Sequence, residues 1–496
     1  MSTEKRTARR GLRRDKLFPC GVTRREFVWE MGGGFAGLAL ASLLGDSFFS
    51  RHAHAKGKVA SAINPLAPRP THFEAKAKSC IFLMMNGAPS QIDTFDYKPE
   101  LEKRAGTSLP PGKTFINSGG RNMGFLTPAF RPFRPGGESG LFISDYFPHL
   151  RQQADKLAVI KSCHTDSHAH GSALVAMNTG STFIGRPSLG SWCVYGLGSE
   201  NENLPGYVVM LDKRGGPISG QPNYASGFMP ATYQGTLFRP TGDPILDLRG
   251  PDHLAPGAQR RQLDLLDKLN QEHLDQRPGG RELVARIQSY ELAYRMQTEA
   301  PEAVDLTRET RQTLDMYGVD QETTGAFGRN CLIARRLVER GVRFVQLYSG
   351  GGHFENTWDA HDDIEKNHGL HAAEIDQPIA ALLSDLQQRG LLESTLIVWG
   401  GEFGRMPFSE GKKGRNHNPY GFCMWMAGGG VRGGTSYGET DEFGFEAVVD
   451  RVHLHDIHAT ILHLLGIDHE KLTYFHQGRD DRLTDVYGRV IREILA

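Results

Sequence analysis

Four short apolar runs punctuate the chain, and each opens into a cluster of histidines, acids and glycines. Residues 80–85 (CIFLMM) lead to Asn86-Gly87 and then to Asp93 and Asp96. Residues 157–161 (LAVIK) lead to His164, Asp166, His168 and His170, and residues 343–348 (RFVQLY) to His353, Asp359 and His361. Residues 395–399 (TLIVW) lead to Glu402, with His417 in the next loop. Unbroken apolar runs of this length read as strands buried on both faces. Between them the apolar spacing changes to that of helices: residues 330–341 ending at Gly341, 375–389 stopped by Gly390, and 456–465 capped by Asp456 and stopped by Gly466. Short strands alternating with helices predict an α/β fold, a three-layer, doubly wound, mostly parallel sheet. In such a sheet the strand carboxyl ends share one edge, where ligands bind.

Two further patterns fill in the organisation. From 259 to 299, apolar residues recur at helical spacing on both sides of Pro278-Gly279-Gly280, which predicts a helical hairpin within an insertion at about 257–326. It reads as a helical layer packed on the sheet, with a lid or partner surface as the alternative. Segments 99–141 and 204–252 are dense in Gly and Pro and read as long ordered loops over the active edge.

Composition narrows the partners. The 496 residues carry 57 basic and 57 acidic side chains, so no global field favours nucleic acid or an anionic membrane. The amino terminus reads as a targeting segment. Arg24-Arg25 precede a glycine-containing apolar stretch at 34–44, and Ala53-His54-Ala55 offers a cleavage pattern. Residues 1–55 are therefore expected to be a Tat-type export signal and 56–76 an exposed leader. Residues 77–496 are expected to form a single domain, periplasmic or secreted, with no integral span after processing. The apolar stretch is shorter than the roughly 20 residues a membrane helix needs. Five of the six cysteines lie beyond the signal, widely spaced, giving no metal ribbon and no disulfide framework. Most read as core residues, with one disulfide as the alternative.

The polar clusters carry the candidate chemistry. Asp359 and His361, two apart in a loop after a strand, can both reach one cation, with Trp358 shielding it and His353 in the same loop. Glu402 emerges from Gly400-Gly401 as a ligand or base, and Arg405 is a candidate contact for an anionic group; the plainer alternative is a Glu402–Arg405 ion pair. His417 is a candidate ligand or proton donor. His168 and His170 share a face if extended and diverge if helical; extended, they bind one metal or flank Ser172 as nucleophile. Asp93 is a further candidate ligand, while Asp96 reads as an Asx turn. His453, His455 and His458 read as capping and core residues.

Taken together, NGAPSQIDTFDYKPEL, SCHTDSHAHGSA with NTG, RPSLGSW, WDAH, LIVWGGEFGRMP, GRNHNPYGF with AGGGVRGG, and HDIHATILHLLGID resemble the DUF1501 family over essentially the whole mature chain. That family comprises bacterial, often Tat-exported proteins, common in planctomycetes and placed near sulfatases and alkaline phosphatases. The resemblance implies an alkaline-phosphatase/sulfatase-like core with one or two metal ions and a Ser, Thr or modified Cys nucleophile. It aligns Glu402-Phe403-Gly404, His417, and the pair Asp359 and His361 with metal-site positions, and residues 170–180 with the nucleophile helix. The chain departs from the pattern in three places. It has no C-x-P-S-R, so no formylglycine chemistry is expected; Asn86 stands where an aspartate is usual; and Phe403 replaces a common ligand.

The expectation is an exported, metal-dependent hydrolase of phosphate or sulfate esters, acting on an anionic small-molecule or polysaccharide ester. One or two divalent ions (Zn, Mn, Ca or Fe) would be held by Asp93, His168, His353, Asp359, His361, Glu402 and His417, with His170, Ser172 and Arg405 catalytic. The competing expectation is a non-catalytic binding or assembly protein on the same scaffold, joined to a secreted partner.

Overall fold

A computed structural model describes residues 64–113, 123–239, 257–276 and 281–496, with 244, 245 and 248. The expected export signal (1–55) and residues 56–63 of the expected leader lie outside the described residues. No described helix is long and apolar enough to cross a membrane.

The apolar runs form the central sheet. Its strands are β1 (Ser79–Met85), β2 (Leu157–His164), β3 (Tyr207–Met210), β4 (Thr236–Phe238), β5 (Phe344–Ser349) and β6 (Thr395–Gly400). A side ribbon of β7 (Gly404–Glu410) and β8 (Gly414–Asn418) follows, and then β9 (Phe422–Ala427), β10 (Thr435–Tyr437) and β11 (Val452–His453) return to the sheet. The order across the sheet is β10-β2-β9-β6-β1-β5-β3-β4, with β11 alongside β2. Every pairing is parallel except the two made by β9. The carboxyl ends of β1, β2, β5 and β6 therefore share one edge. Because β9 runs the other way, its amino end meets the same edge, and the residues just before it arrive there too.

Alternate side chains of β1 enter two separate cores, as the period of two requires. Ile81, Leu83 and Met85 pack under α5 (Gly325–Glu339) and α6 (Ile364–Gln388), while Cys80, Phe82 and Met84 pack under α1 (His170–Thr179), α2 (Leu189–Leu197) and α7 (Leu454–Leu464). The sheet is thus covered on both faces.

The insertion forms α3 (Ala258–Gln276) and α4 (Arg281–Val304), tied by Arg260 forking onto Glu291 at 2.8 and 2.6 Å. Among the described side chains, α4 joins the core through Met296, Ala300 and Ala303, with Leu292 and Val304 packed against it; Leu265, Leu266 and Leu269 of α3 stay exposed.

Two local expectations are corrected. Helix α6 begins at Ile364, eleven residues earlier than its apolar period predicts, because Asp363 caps it by accepting from the Lys366 N–H at 3.0 Å. Its polar first turns hide it in the sequence. The last helix is capped by His453, with Asp456 at the third helical position completing a capping box. The five described cysteines are all buried and free, so no disulfide forms among them.

Gly87, just past β1, packs where a side chain cannot fit. Its φ is +107°, and a Cβ there would lie 2.6 Å from the Trp358 nitrogen and 2.7 Å from the Asp359 nitrogen. Gly87→Ala is expected to lower stability by about 2 kcal/mol and to push the Asp359 loop away, measurable by denaturant unfolding.

His458 on α7 is wholly buried. One ring nitrogen, Nε2, donates to the Met177 carbonyl at 2.7 Å, and the other has no partner. Burial, reinforced by His455, pushes its pKa down to about 3, against roughly 6.5 in an unfolded chain. The folded state keeps it neutral, so its contribution is present above about pH 6.5 and is lost as the pH falls towards the folded value. Unfolding midpoints measured from pH 7 to pH 4 should therefore fall less steeply in His458→Gln than in the parent protein.

Candidate metal centre

At the shared edge four side chains from separate segments converge. His170 is the first residue of α1, Asp359 and His361 lie in the loop after β5, and His417 sits on β8, just before β9. One donor atom from each lies within 4.8 Å of the other three. His361 Nε2 is 2.9 Å from His417 Nε2. The Asp359 Oδ1 atom is 3.0 Å from His361 Nε2, 3.2 Å from His170 Nε2 and 3.4 Å from His417 Nε2. Tetrahedral zinc with bonds of about 2.0–2.1 Å sets its ligands roughly 3.3 Å apart, close to these four separations.

The layer behind the donors fixes their orientation. The Nδ1 atom of His170 bonds Glu402 at 2.6 Å, that of His361 bonds Glu410, and that of His417 donates to the His168 carbonyl at 2.7 Å. With Nδ1–H committed to an acceptor, each Nε2 lone pair faces the cluster centre. Imidazoles held in this way are the usual support of a metal site. Glu402 is itself held by the Gly87 N–H at 3.0 Å. Arg405 fixes Asp359 Oδ1 at 2.7 Å. His170 Nε2 is buried without a hydrogen-bond partner. Such an orphaned donor, inside a cage of three nitrogens and one carboxylate, fits a borderline-soft divalent cation.

The electrostatics fit as well. Burial pulls the His170 and His361 pKa values down, but the neighbouring carboxylates, Asp359 and Glu402 for His170 and Asp359 and Glu410 for His361, outweigh it and hold both above the ordinary value. Burial, with Arg405 and His170 nearby, pushes His417 down to about 3. Burial would raise the Asp359 carboxyl, but Arg405 and the three imidazoles hold it well below the carboxylate range.

Four of the residues singled out from sequence, His170, Asp359, His361 and His417, are brought together. The others go elsewhere. His168 contributes its backbone carbonyl to His417 and not its ring, because the chain turns helical between it and His170. Glu402 stands behind His170 as its hydrogen-bond partner, and the alternative Glu402–Arg405 pair is replaced by Arg405–Asp359. Arg405 is fully buried, and its guanidinium also donates to the Ala88 carbonyl at 2.9 Å and the Arg415 carbonyl at 3.2 Å, so it positions Asp359 instead of meeting an anion. Asp93 is buried against Arg415 at 2.8 Å. His353 is exposed in the loop that precedes Asp359. Ser172 exchanges a hydrogen bond with Ser167 at 2.6 Å and donates to the Ala169 carbonyl at 3.2 Å, in the first turn of α1.

Two buried supports escape a reading of the sequence. Glu410 precedes a turn rich in lysine and glycine, with no motif around it that marks an inward-facing acid. Arg415 reads as part of a solvated charge run. The ribbon's register shifts between Arg405 and Ser409, where four steps along β7 meet two along β8, and Glu410 and Arg415 lie wholly buried beyond that shift.

Beside the centre lies a cleft of about 450 Å³ whose wall includes Asp359 and His361. The four donors are thus enclosed from behind by Glu402, Glu410 and Arg405 and approachable from one side.

Among solved structures, the chain is similar to the lipoteichoic acid synthase LtaP from Listeria monocytogenes, at 9% identity over 85% of this chain and 79% of that one, with a TM-score of 0.35. It is similar to the PsFucS1 sulfatase from Pseudoalteromonas sp. at 13% identity, over 79% and 68% of the two chains, with a TM-score of 0.35. The alkaline phosphatase from the Antarctic bacterium TAB5 matches at 10% identity, over 79% and 98%, with a TM-score of 0.31. No curated protein matches. Residues 77–495 match the family described as a protein of unknown function, DUF1501, and the chain belongs to that family.

Proposed function

We propose that the protein is a metal-dependent hydrolase of phosphate or sulfate esters, exported through the Tat pathway and working in the periplasm or outside the cell. The observation that carries this reading is the cage of His170, Asp359, His361 and His417 opening onto a cleft. A divalent cation held there supplies Lewis acidity to an ester oxygen and to water. The chain's own residues do the rest. Glu402, Glu410 and the His168 carbonyl keep three lone pairs aimed at one point. Arg405 stops Asp359 from swinging out of the cluster. None of the hydrogen bonds to the four donor atoms comes from a described hydroxyl or thiol, so the reading assigns the attack on the ester to water and leaves Ser172 as a helix-turn residue.

One observation favours a second reading. Four protein donors are the number that closes a structural zinc site, whereas catalytic sites commonly use three and keep a position open. In that case the ion would stabilise a scaffold for binding or assembly, without turnover.

The folded protein from residue 64 onward is expected to hold about one zinc-class ion per chain. His361→Ala should abolish binding, and Glu410→Gln should weaken it by roughly 10- to 100-fold, as loss of a ligand's supporting acceptor does. Elemental analysis and competition with a chromophoric chelator measure both; full loading of His361→Ala would sink the centre.

Turnover separates the two readings. For the hydrolase, stripping the ion should cost at least about 100-fold in kcat/KM on 4-nitrophenyl phosphate or sulfate, with recovery when zinc returns. A loaded protein that turns over neither ester, and whose Tm falls sharply on stripping, would favour the scaffold.

A further inference from the structure

A hydrogen bond at Nδ1 holds an imidazole by one corner, and a ring held at one corner can still turn about that bond. Packing against the ring removes the freedom that is left. For His170 and His417 the same side chain, Phe403, packs against both. Its ring centroid lies 4.8 Å from that of His170, the planes tilted by 33°, and 4.7 Å from that of His417, tilted by 40°. The two imidazole centroids are 4.3 Å apart, so the three rings close a triangle. His361 joins it through His417, at 4.7 Å.

The triangle is anchored in the protein interior. Phe403 is 1% exposed and belongs to the core beneath α1, α2 and α7, together with Tyr348, Phe422 and Met424. The backbone beyond it is pinned, because the Gln91 side chain accepts from the Arg405 N–H at 2.8 Å and donates to the Arg405 carbonyl at 2.9 Å. The short segment after β6 thus supports the centre at three points. Glu402 bonds the His170 Nδ1 atom, Phe403 packs on His170 and His417, and Arg405 fixes Asp359. The cleft meets the other half of the donor set: its wall includes Asp359 and His361 but not His170, His417 or Phe403. The apolar shell of a metal site governs solvent access to it, and here an apolar ring stands against the two donors that the cleft wall leaves out.

We propose that Phe403 is a positioning residue of the metal centre. It fixes the His170 and His417 rings and bars water from their side, so that an added ligand reaches the ion only past Asp359 and His361. The role rests on the metal centre, which the hydrolase and the scaffold share, and not on turnover. Removing the ring leaves room for a water, which takes about 30 Å³ and would find the ion as a partner. Leucine fills most of that space but offers no flat face to the imidazoles.

Cobalt(II) tests this, because each ligand added to the ion lowers the intensity of its visible absorption bands. The full chain and its variants are titrated with cobalt, and affinity and band intensity are read together. Phe403→Ala should weaken binding roughly 10-fold, as loss of a ligand's support does, and should lose intensity as water joins the ion. Phe403→Leu should lose about threefold in affinity and keep the parent's intensity; if the alanine variant does not fold, this affinity decides. Phe344→Ala is the control. Phe344 is wholly buried in the same core but begins β5, at the opposite edge of the sheet from the centre. Its affinity should stay within about twofold of the parent's, with the same intensity. Parent-like affinity in either Phe403 variant, intensity kept in Phe403→Ala or lost equally in Phe403→Leu, or an equal loss of affinity in Phe344→Ala would overturn the role of Phe403. A parent chain that binds no cobalt would sink the centre itself, and the role with it.

Discussion

Two imidazoles cannot face each other lone pair to lone pair without a positive charge between them. His361 and His417 are in that position, their Nε2 atoms 2.9 Å apart and both Nδ1 atoms committed to acceptors. A proton or a cation has to sit in the cluster, and most of the surrounding structure follows from supplying the conditions for one. Asp359 brings the nearest negative charge, and buried Glu402 and Glu410 add two more behind the rings. Arg405 balances part of that charge from the rear. Removing one member of such a buried set costs more than the set as a whole contributes, because its partner is then left charged and dry.

The sheet determines which segments can take part. Four parallel strands discharge at one edge, and the single reversed strand, β9, lets a residue before a strand reach the same edge as residues after the others. The β7–β8 ribbon uses this reversal. It leaves β6 at the edge, turns back, and delivers His417 before the chain enters β9. Close packing of the turns tightens the placement. Gly414 lies so near the His361 backbone that a Cβ there would clash with the His361 carbonyl oxygen, so loop and ribbon fix each other's position.

Much of this was legible in the sequence, for a definite reason. Strand runs and the polar residues at their ends are local features, and parallel topology converts "just after a strand" into "at one edge". Asp359, His361 and His417 were readable in that way, and His170 as one of two alternating histidines. Whether a charged residue serves the front or the back of a site is not local. Arg405 reads as an anion contact or a partner for Glu402, and Arg415 as part of a basic loop, yet both are wholly buried, and Glu410 is buried in a ribbon whose register shifts by two positions. The polar opening of α6 shows no apolar period; its helical order is set by the Asp363 cap and by burial of His368 and His371.

The free cysteines have a practical consequence. Cys80, Cys163, Cys193, Cys331 and Cys423 lie on β1, β2, α2, α5 and β9, covering the middle of the sheet and both helical layers. Burial pushes the thiol of each well above its ordinary range, so none reacts while the core stays shut. Each layer therefore carries its own chemical clock. The order in which an alkylating reagent finds the five sulfurs records the order in which the layers part, and ions that tighten the edge should slow some clocks and leave others running.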